Sequence, residues 1–331
     1  VSALELLDEH LRVVVEPDLG AHVSFVGRPG GPNVLAEADW ASPLPASRSA
    51  GYGSDRADFM SEYRGGWHEL FPNAGDACEV DGVRLPFHGE AARARWDVVE
   101  AQADSLRVRT AARLPLVLER RMRLAGDRAT VTVEEVVTNE SATPVEFVWG
   151  HHPVFPAVPG TEVDVPAATV RADAGFAPAA GDVEPDASGE WPFLPGPGGR
   201  VDLRRVPDGP AERYCFMCDL PEGWAAVRDV SGGTGVALSW DVEVWPHAWL
   251  WLELGGEGFP WYGRGAFLGV EPQRSWPGDG LAAARERGHA LRVEGGGRVA
   301  SWLTFSLFDA DEREVERVGR DGAITRREER G

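Results

Sequence analysis

Two short segments each place a titratable side chain directly before a proline: Val148-Trp-Gly-His-His-Pro-Val-Phe155 and Phe267-Leu-Gly-Val-Glu-Pro-Gln-Arg-Ser-Trp276. A residue before proline is pushed to extended backbone, so His152 and Glu271 are expected at or near strand ends. On a strand, residues i and i−2 share a face. Gly150 then lies beside His152 and Gly269 beside Glu271, and a glycine there leaves a gap through which a ligand approaches. An imidazole and a carboxylate facing one hollow are the equipment of general acid–base catalysis. A third stretch, Tyr63-Arg-Gly-Gly-Trp-His-Glu-Leu-Phe-Pro-Asn73 followed by Leu85-Pro-Phe-His-Gly-Glu90, adds Arg64 and His88. Each residue has a plain alternative: Glu271 as a surface carboxylate, His152 as a satisfied structural histidine, His88 as a turn residue before Gly89, Arg64 as a surface arginine. His151 faces away from His152 on a regular strand, and His68 and Glu69 face apart for the same reason.

The elements that must hold these residues read as strands. Glycine (40) and proline (25) fall every few residues between short apolar runs, the punctuation of an all-β chain. Leu106-Arg-Val-Arg-Thr110, the alternating Leu114, Leu116 and Leu118, Met122 with Leu124, and Thr130-Val-Thr-Val-Glu134 have strand periodicity. Ala248–Glu253, Ala266–Glu271 and Ser301–Phe308 read as inner strands. Helices are few: Leu281–Arg287 makes about two turns, and Asp311–Val318 is a short candidate. Residues 174–210, rich in Pro, Gly, Asp and Ala, form a long surface excursion, since strand patterning resumes on both sides. No repeat of 20–50 residues is visible, which argues against a propeller. The expected architecture is one large antiparallel β-sandwich over residues 1–308, with a solvated, charged C-terminal tail over 309–331.

The formal net charge is −20, and all the cationic side chains besides histidine are arginines. Such a surface repels nucleic-acid backbones and anionic lipid, so neither is expected as a partner. A few arginines in one cleft still permit a sugar phosphate. Three cysteines make no disulfide framework. Cys215 and Cys218 form a Cys-x-x-Cys without a second ligand pair, and their surroundings read as a strand, so a structural role is expected. No apolar run reaches the ~18 residues of a membrane span, and a reducing cytoplasm is the expected compartment.

Taken together, these segments resemble the aldose 1-epimerase (galactose mutarotase-like) superfamily. The likeness begins at Leu11-Arg-Val-Val-Val-Glu-Pro-Asp-Leu-Gly-Ala-His-Val-Ser-Phe25. It continues through Arg64-Gly-Gly-Trp67, Phe71-Pro-Asn73, His88-Gly-Glu-Ala-Ala-Arg93, Val137-Thr-Asn139, Gly150–Phe155 and Gly269-Val-Glu-Pro-Gln273. These motifs run in order over roughly residues 8–308. The resemblance implies a β-supersandwich and mutarotation of an aldose without metal or other cofactor. It implies Glu271 as general base, His152 as general acid, and His88 and Arg64 as sugar-binding groups. Glu212 is the candidate for a sugar-binding carboxylate later in the chain. Phe155 and Trp276 are candidate apolar faces for sugar C–H groups. The chemistry as expected needs an ionised Glu271 and a protonated His152, hence a raised histidine pKa. Three alternatives stand beside it. One is a non-catalytic sugar-binding protein on the same scaffold. Another is a glycoside hydrolase or lyase pairing Glu271 with Glu90 or Glu212. The third, a cupin-type metal site, is disfavoured because His151 and His152 are adjacent rather than in His-x-His spacing.

Overall fold

The computed structural model describes residues 3–38 and 54–327. Its strands form two large antiparallel sheets. The first has ten strands. In spatial order they are Leu4–Leu7, Arg12–Glu16, His22–Gly27, Trp67–Leu70, Gly150–Pro156, Ala266–Gln273, His247–Leu254, Ala211–Cys218, Thr169–Ala172 and Ser188–Glu190. The second has eight, running Glu162–Asp164, Trp224–Asp229, Thr234–Trp240, Arg298–Asp309, Thr130–Asn139, Leu116–Leu124, Ser105–Ala111 and Asp97–Ala101. The sheets face each other across one apolar core. Trp67 and Phe155 of the first meet Phe305 of the second, with ring centroids 5.5 and 6.2 Å apart. The alternating apolar residues make this so: Leu116, Leu118, Met122 and Leu124 are all buried while Arg121 and Arg123 between them are exposed. The expected all-β sandwich is the fold observed.

Several local expectations change. Asp311–Val318 is no helix. Val315–Val318 and Ile324–Arg326 form a β-hairpin, and Val315 and Val318 bury their side chains against Trp224 and Ala237. The segment through 327 is therefore packed, because two valines three apart find an apolar patch on the eight-stranded sheet. Residues 328–331 lie outside the described residues. The 174–210 excursion carries its own hairpin, Phe193–Gly196 with Gly199–Asp202, and its Ser188–Glu190 strand edges the large sheet. The α-helices among the described residues are Asp55–Glu62, with Ser54 accepting from the Ala57 amide, and Gly280–Glu286. Cys215 and Cys218 are free and buried on one strand. Three residues apart, they point to opposite faces, and burial pushes both thiols up to about 12.

One polar group is sealed between the sheets. Arg120 donates to Glu69, to Glu135 (2.9 Å) and to the Ala21 carbonyl (3.0 Å). Glu69 also accepts from the Trp149 indole. His151 accepts from the Trp67 indole at Nδ1 (3.2 Å) and lies 3.0 Å from Glu135 at Nε2. Glu69, Glu135 and His151 converge as metal ligands would, but the Arg120 guanidinium occupies the cationic position among them. Burial pushes the Glu69 carboxyl up to about 7. For Glu135, His151 and Arg120 outweigh burial and hold it down to about 2.

A second carboxyl pair, Glu212 opposite Glu253, ties the excursion to the sheet. The Ala180 amide donates to Glu212 and the Gly256 amide to Glu253. Burial, with Glu212 nearby, raises Glu253 to about 8. Glu253 and Glu69 therefore ionise at higher pH in the folded chain than in the unfolded one. From the ordinary carboxylate value of 4.5 up to those raised values the folded state holds more protons, so stability falls as pH rises. Thermal melts are expected to show Tm declining from about pH 6.5 to pH 8, and Glu253→Gln is expected to flatten that decline. A Tm that climbs over this window contradicts the assignment.

Candidate active site

The face of the ten-stranded sheet away from the core carries a cavity of about 300 Å³. Cross-strand register builds its floor. His152 pairs with His68 on one side. On the other, Gly150 opposes Gln273 and Val154 opposes Gly269, which sets His152 opposite Glu271. Glu271 in turn faces Trp249, and Gly269 faces Trp251. Directly opposed residues share a face and approach closely. One row thus runs His68, His152, Glu271, Trp249 across four strands.

His152 and Glu271 lie near strand ends, as the following prolines suggest, but inside them: each is the third residue from an end of its strand. The ladder joins these strands at Gly150–Gln273 and again at Val154–Gly269. Pro153 and Pro272 stand in the interval between, and neither offers an N–H. The two prolines are tolerated together because they fall in one gap of the same ladder. The flanking glycines also serve differently from expectation. A Cβ on Gly269 would lie 2.7 Å from Glu271 Oε1, and one on Gly150 would lie 1.8 Å from Gln273 Oε1. The space they leave is filled by the chain's own Glu271 and Gln273.

The Glu271 carboxylate lies 3.5 Å from His152 Nε2, and both residues are buried, at 1% and 6% exposure. Burial pushes Glu271 well above the ordinary carboxylate range. Burial, with His68 beside it, pushes His152 down to about 3. Burial therefore works against charge on both groups and favours a proton on Glu271 over one on His152. This reverses the expected raised histidine pKa. The reason is that, among the described residues, this imidazole is the ion-pair partner Glu271 has, and desolvation penalises both charged forms.

His88 closes another wall. Its Nδ1 accepts from the Gly75 amide (3.1 Å), so the neutral ring carries its proton on Nε2. It sits at φ 61°, next to Gly89 at φ 78°, in a turn that keeps the ring 5.5 Å from that of His152. His88 is thus both a turn residue and part of the cavity wall. Phe59, Phe87, Trp249 and Trp251 line the remainder with Tyr63 and Tyr214, and Arg56, Asp76 and Asp173 also line the cavity. The Tyr63 hydroxyl is buried with no hydrogen-bond partner among the described residues.

The other sequence candidates lie elsewhere. Arg64 is half-buried on a separate groove with Arg12, Glu16, His22 and Glu37. Glu212 is engaged with Glu253 and the Ala180 amide, and does not line the cavity. Trp276 packs beside Phe216, His247 and His289, with the Arg171 guanidinium 5.2 Å above its ring. Glu90 pairs with Arg113. Neither Glu90 nor Glu212 is thus a second carboxylate in this cavity. Sequence reading passed over Tyr63, Tyr214, Trp249 and Trp251 as site residues. Strand alternation could have placed the two tryptophans on one face, opposite to Leu250 and Leu252. Arg56, Asp76 and Asp173 belong to a helix and two loops, with no such signal.

No family model matches the chain, and no curated protein matches it. Solved structures do. The Slr1438 protein of Synechocystis sp. PCC 6803 superposes with a TM-score of 0.67 at 20% identity, covering 93% of this chain and 96% of that one. A galactose mutarotase related enzyme from Lactobacillus acidophilus gives 0.60 at 14%, covering 94% and 99%. A galactose mutarotase-like protein from Clostridium acetobutylicum gives 0.61 at 12%, covering 92% and 95%. No helix of the described residues is long and apolar enough to cross a membrane. At these identities the likeness speaks for architecture, and this chain has the galactose mutarotase-like fold.

Proposed function

We propose that the chain is an aldose 1-epimerase, with Glu271 and His152 as its acid–base pair. The observation that carries this reading is the contact between Glu271 and His152 on the wall of one cavity. Mutarotation takes a proton from the anomeric hydroxyl and gives one to the ring oxygen. The ring opens, the carbonyl end rotates, and closure runs the transfers in reverse. No net proton is consumed, so a pair holding a single proton suffices. The Glu271 base role needs that proton on His152. Sugar hydroxyls donating to the carboxylate favour its ionised form, and so move the proton across the pair once the site is filled. His88 Nε2–H and the Tyr63 hydroxyl are the donors that orient the ring. Trp249 and Trp251 pack against its C–H faces.

Polarimetry of freshly dissolved aldoses tests this. Added protein is expected to speed the approach to rotational equilibrium for at least one sugar of a panel that includes sugar phosphates. Release of reducing ends from an oligosaccharide, with no faster mutarotation, contradicts it and favours hydrolysis.

A further inference from the structure

Gln273 is fully buried and plays no part in the chemistry above. It stands two residues beyond Glu271 on the same face of the same strand. Directly opposite, Gly150 leaves the space that its amide fills, as a Cβ there would lie 1.8 Å from Gln273 Oε1. Its Nε2 donates to the His151 carbonyl (3.3 Å), which belongs to the peptide bond that leads into His152. Gln273 Oε1 and Glu271 Oε2 are both buried without a hydrogen-bond partner among the described residues. One amide therefore touches the backbone of the histidine strand while sharing a face with the glutamate.

We propose that Gln273 is a positioning residue that ties the Glu271 side chain to the peptide carrying His152, fixing the two groups against each other across a stretch where the prolines leave the strands unlaced. Its N–H groups also offer the carboxylate a donor, which opposes the effect of burial on Glu271. Gly150 is the counterpart of this device, since any larger residue would evict the amide. The role in catalysis rests on the mutarotase reading; the tie itself does not.

The test begins on the unaltered, ligand-free protein. NMR of its side-chain amides is expected to show the Gln273 resonances shifting with the titration of Glu271, followed through labelled glutamate carboxyl carbons. A Gln273 amide that stays silent through that titration overturns the proposal. Gln273→Met keeps volume and removes the donor. It is expected to move the Glu271 titration to higher pH and to lower kcat on the order of tenfold with little change in KM. Gly150→Ala, which keeps Gln273 but displaces it, is expected to do the same. A folded variant whose Glu271 titration is unmoved contradicts the tie. If wild-type protein does not accelerate mutarotation, the mutarotase reading fails while the amide titration still decides this one.

Discussion

Glu271→Gln is expected to lower kcat by about 10²–10⁴, the usual worth of a positioned acid or base, while the fold persists. The substitution is nearly isosteric. Burial already favours the uncharged carboxyl, so a neutral amide introduces no buried charge. What disappears is the ability to take and return a proton 3.5 Å from His152. KM is expected to change little, because the aromatic walls and His88 remain. A variant within about tenfold of wild type contradicts the role of Glu271. The double variant Glu271→Gln/His152→Asn is expected to be scarcely worse than either single one, because groups that act as a unit lose their effect together.

Arg120→Leu is expected to destabilise the protein by about 3–5 kcal/mol. The guanidinium is the cation that compensates Glu69 and Glu135, and all three side chains are sealed between the sheets, at most 2% exposed. Removing one partner leaves carboxylates in an apolar core with their hydrogen bonds unmade. Exposed Arg121 one residue on supplies the control. Arg121→Leu is expected to stay within about 0.5 kcal/mol. Urea unfolding of the two variants measures the difference. Equal midpoints contradict a core role for the Arg120 network. Replacing Arg120, Glu69 and Glu135 together with apolar residues of matching size is expected to recover part of the loss, since the penalty comes from unpaired charge rather than from missing volume.

The sheets were legible because alternation is a local property. Leu116 to Leu124 states its buried and exposed faces residue by residue, and the apolar run from Ala248 to Leu252 marks a strand covered on both faces. The opposition of His151 and His152 followed from the same rule, and the structure sends one to the core network and the other to the cavity. Register is not local, and the site depends on it. Nothing in the chain says that position 152 stands across from 271, or 212 across from 253. Glu212 therefore looked like a ligand group and is instead engaged with another carboxyl. Pro153 and Pro272 each signal a nearby strand end, and the two share one gap inside the sheet. Protonation was the least legible property. Burial of His152 and Glu271 opposes the charge state that the chemistry requires, and the rings packed around His152, those of Tyr63, His68, His88 and Trp251, come from segments far away in sequence.

The most direct measurement of the central claim is exchange NMR on an equilibrated anomer mixture, with wild-type protein and with Glu271→Gln, across a panel of aldoses and sugar phosphates. Wild type is expected to produce cross-peaks between the α and β anomeric signals of at least one sugar at catalytic protein concentration, and Glu271→Gln to abolish them. A sugar whose signals broaden through binding, yet whose anomers exchange no faster than in buffer, would contradict the account and leave a binding protein on an epimerase scaffold.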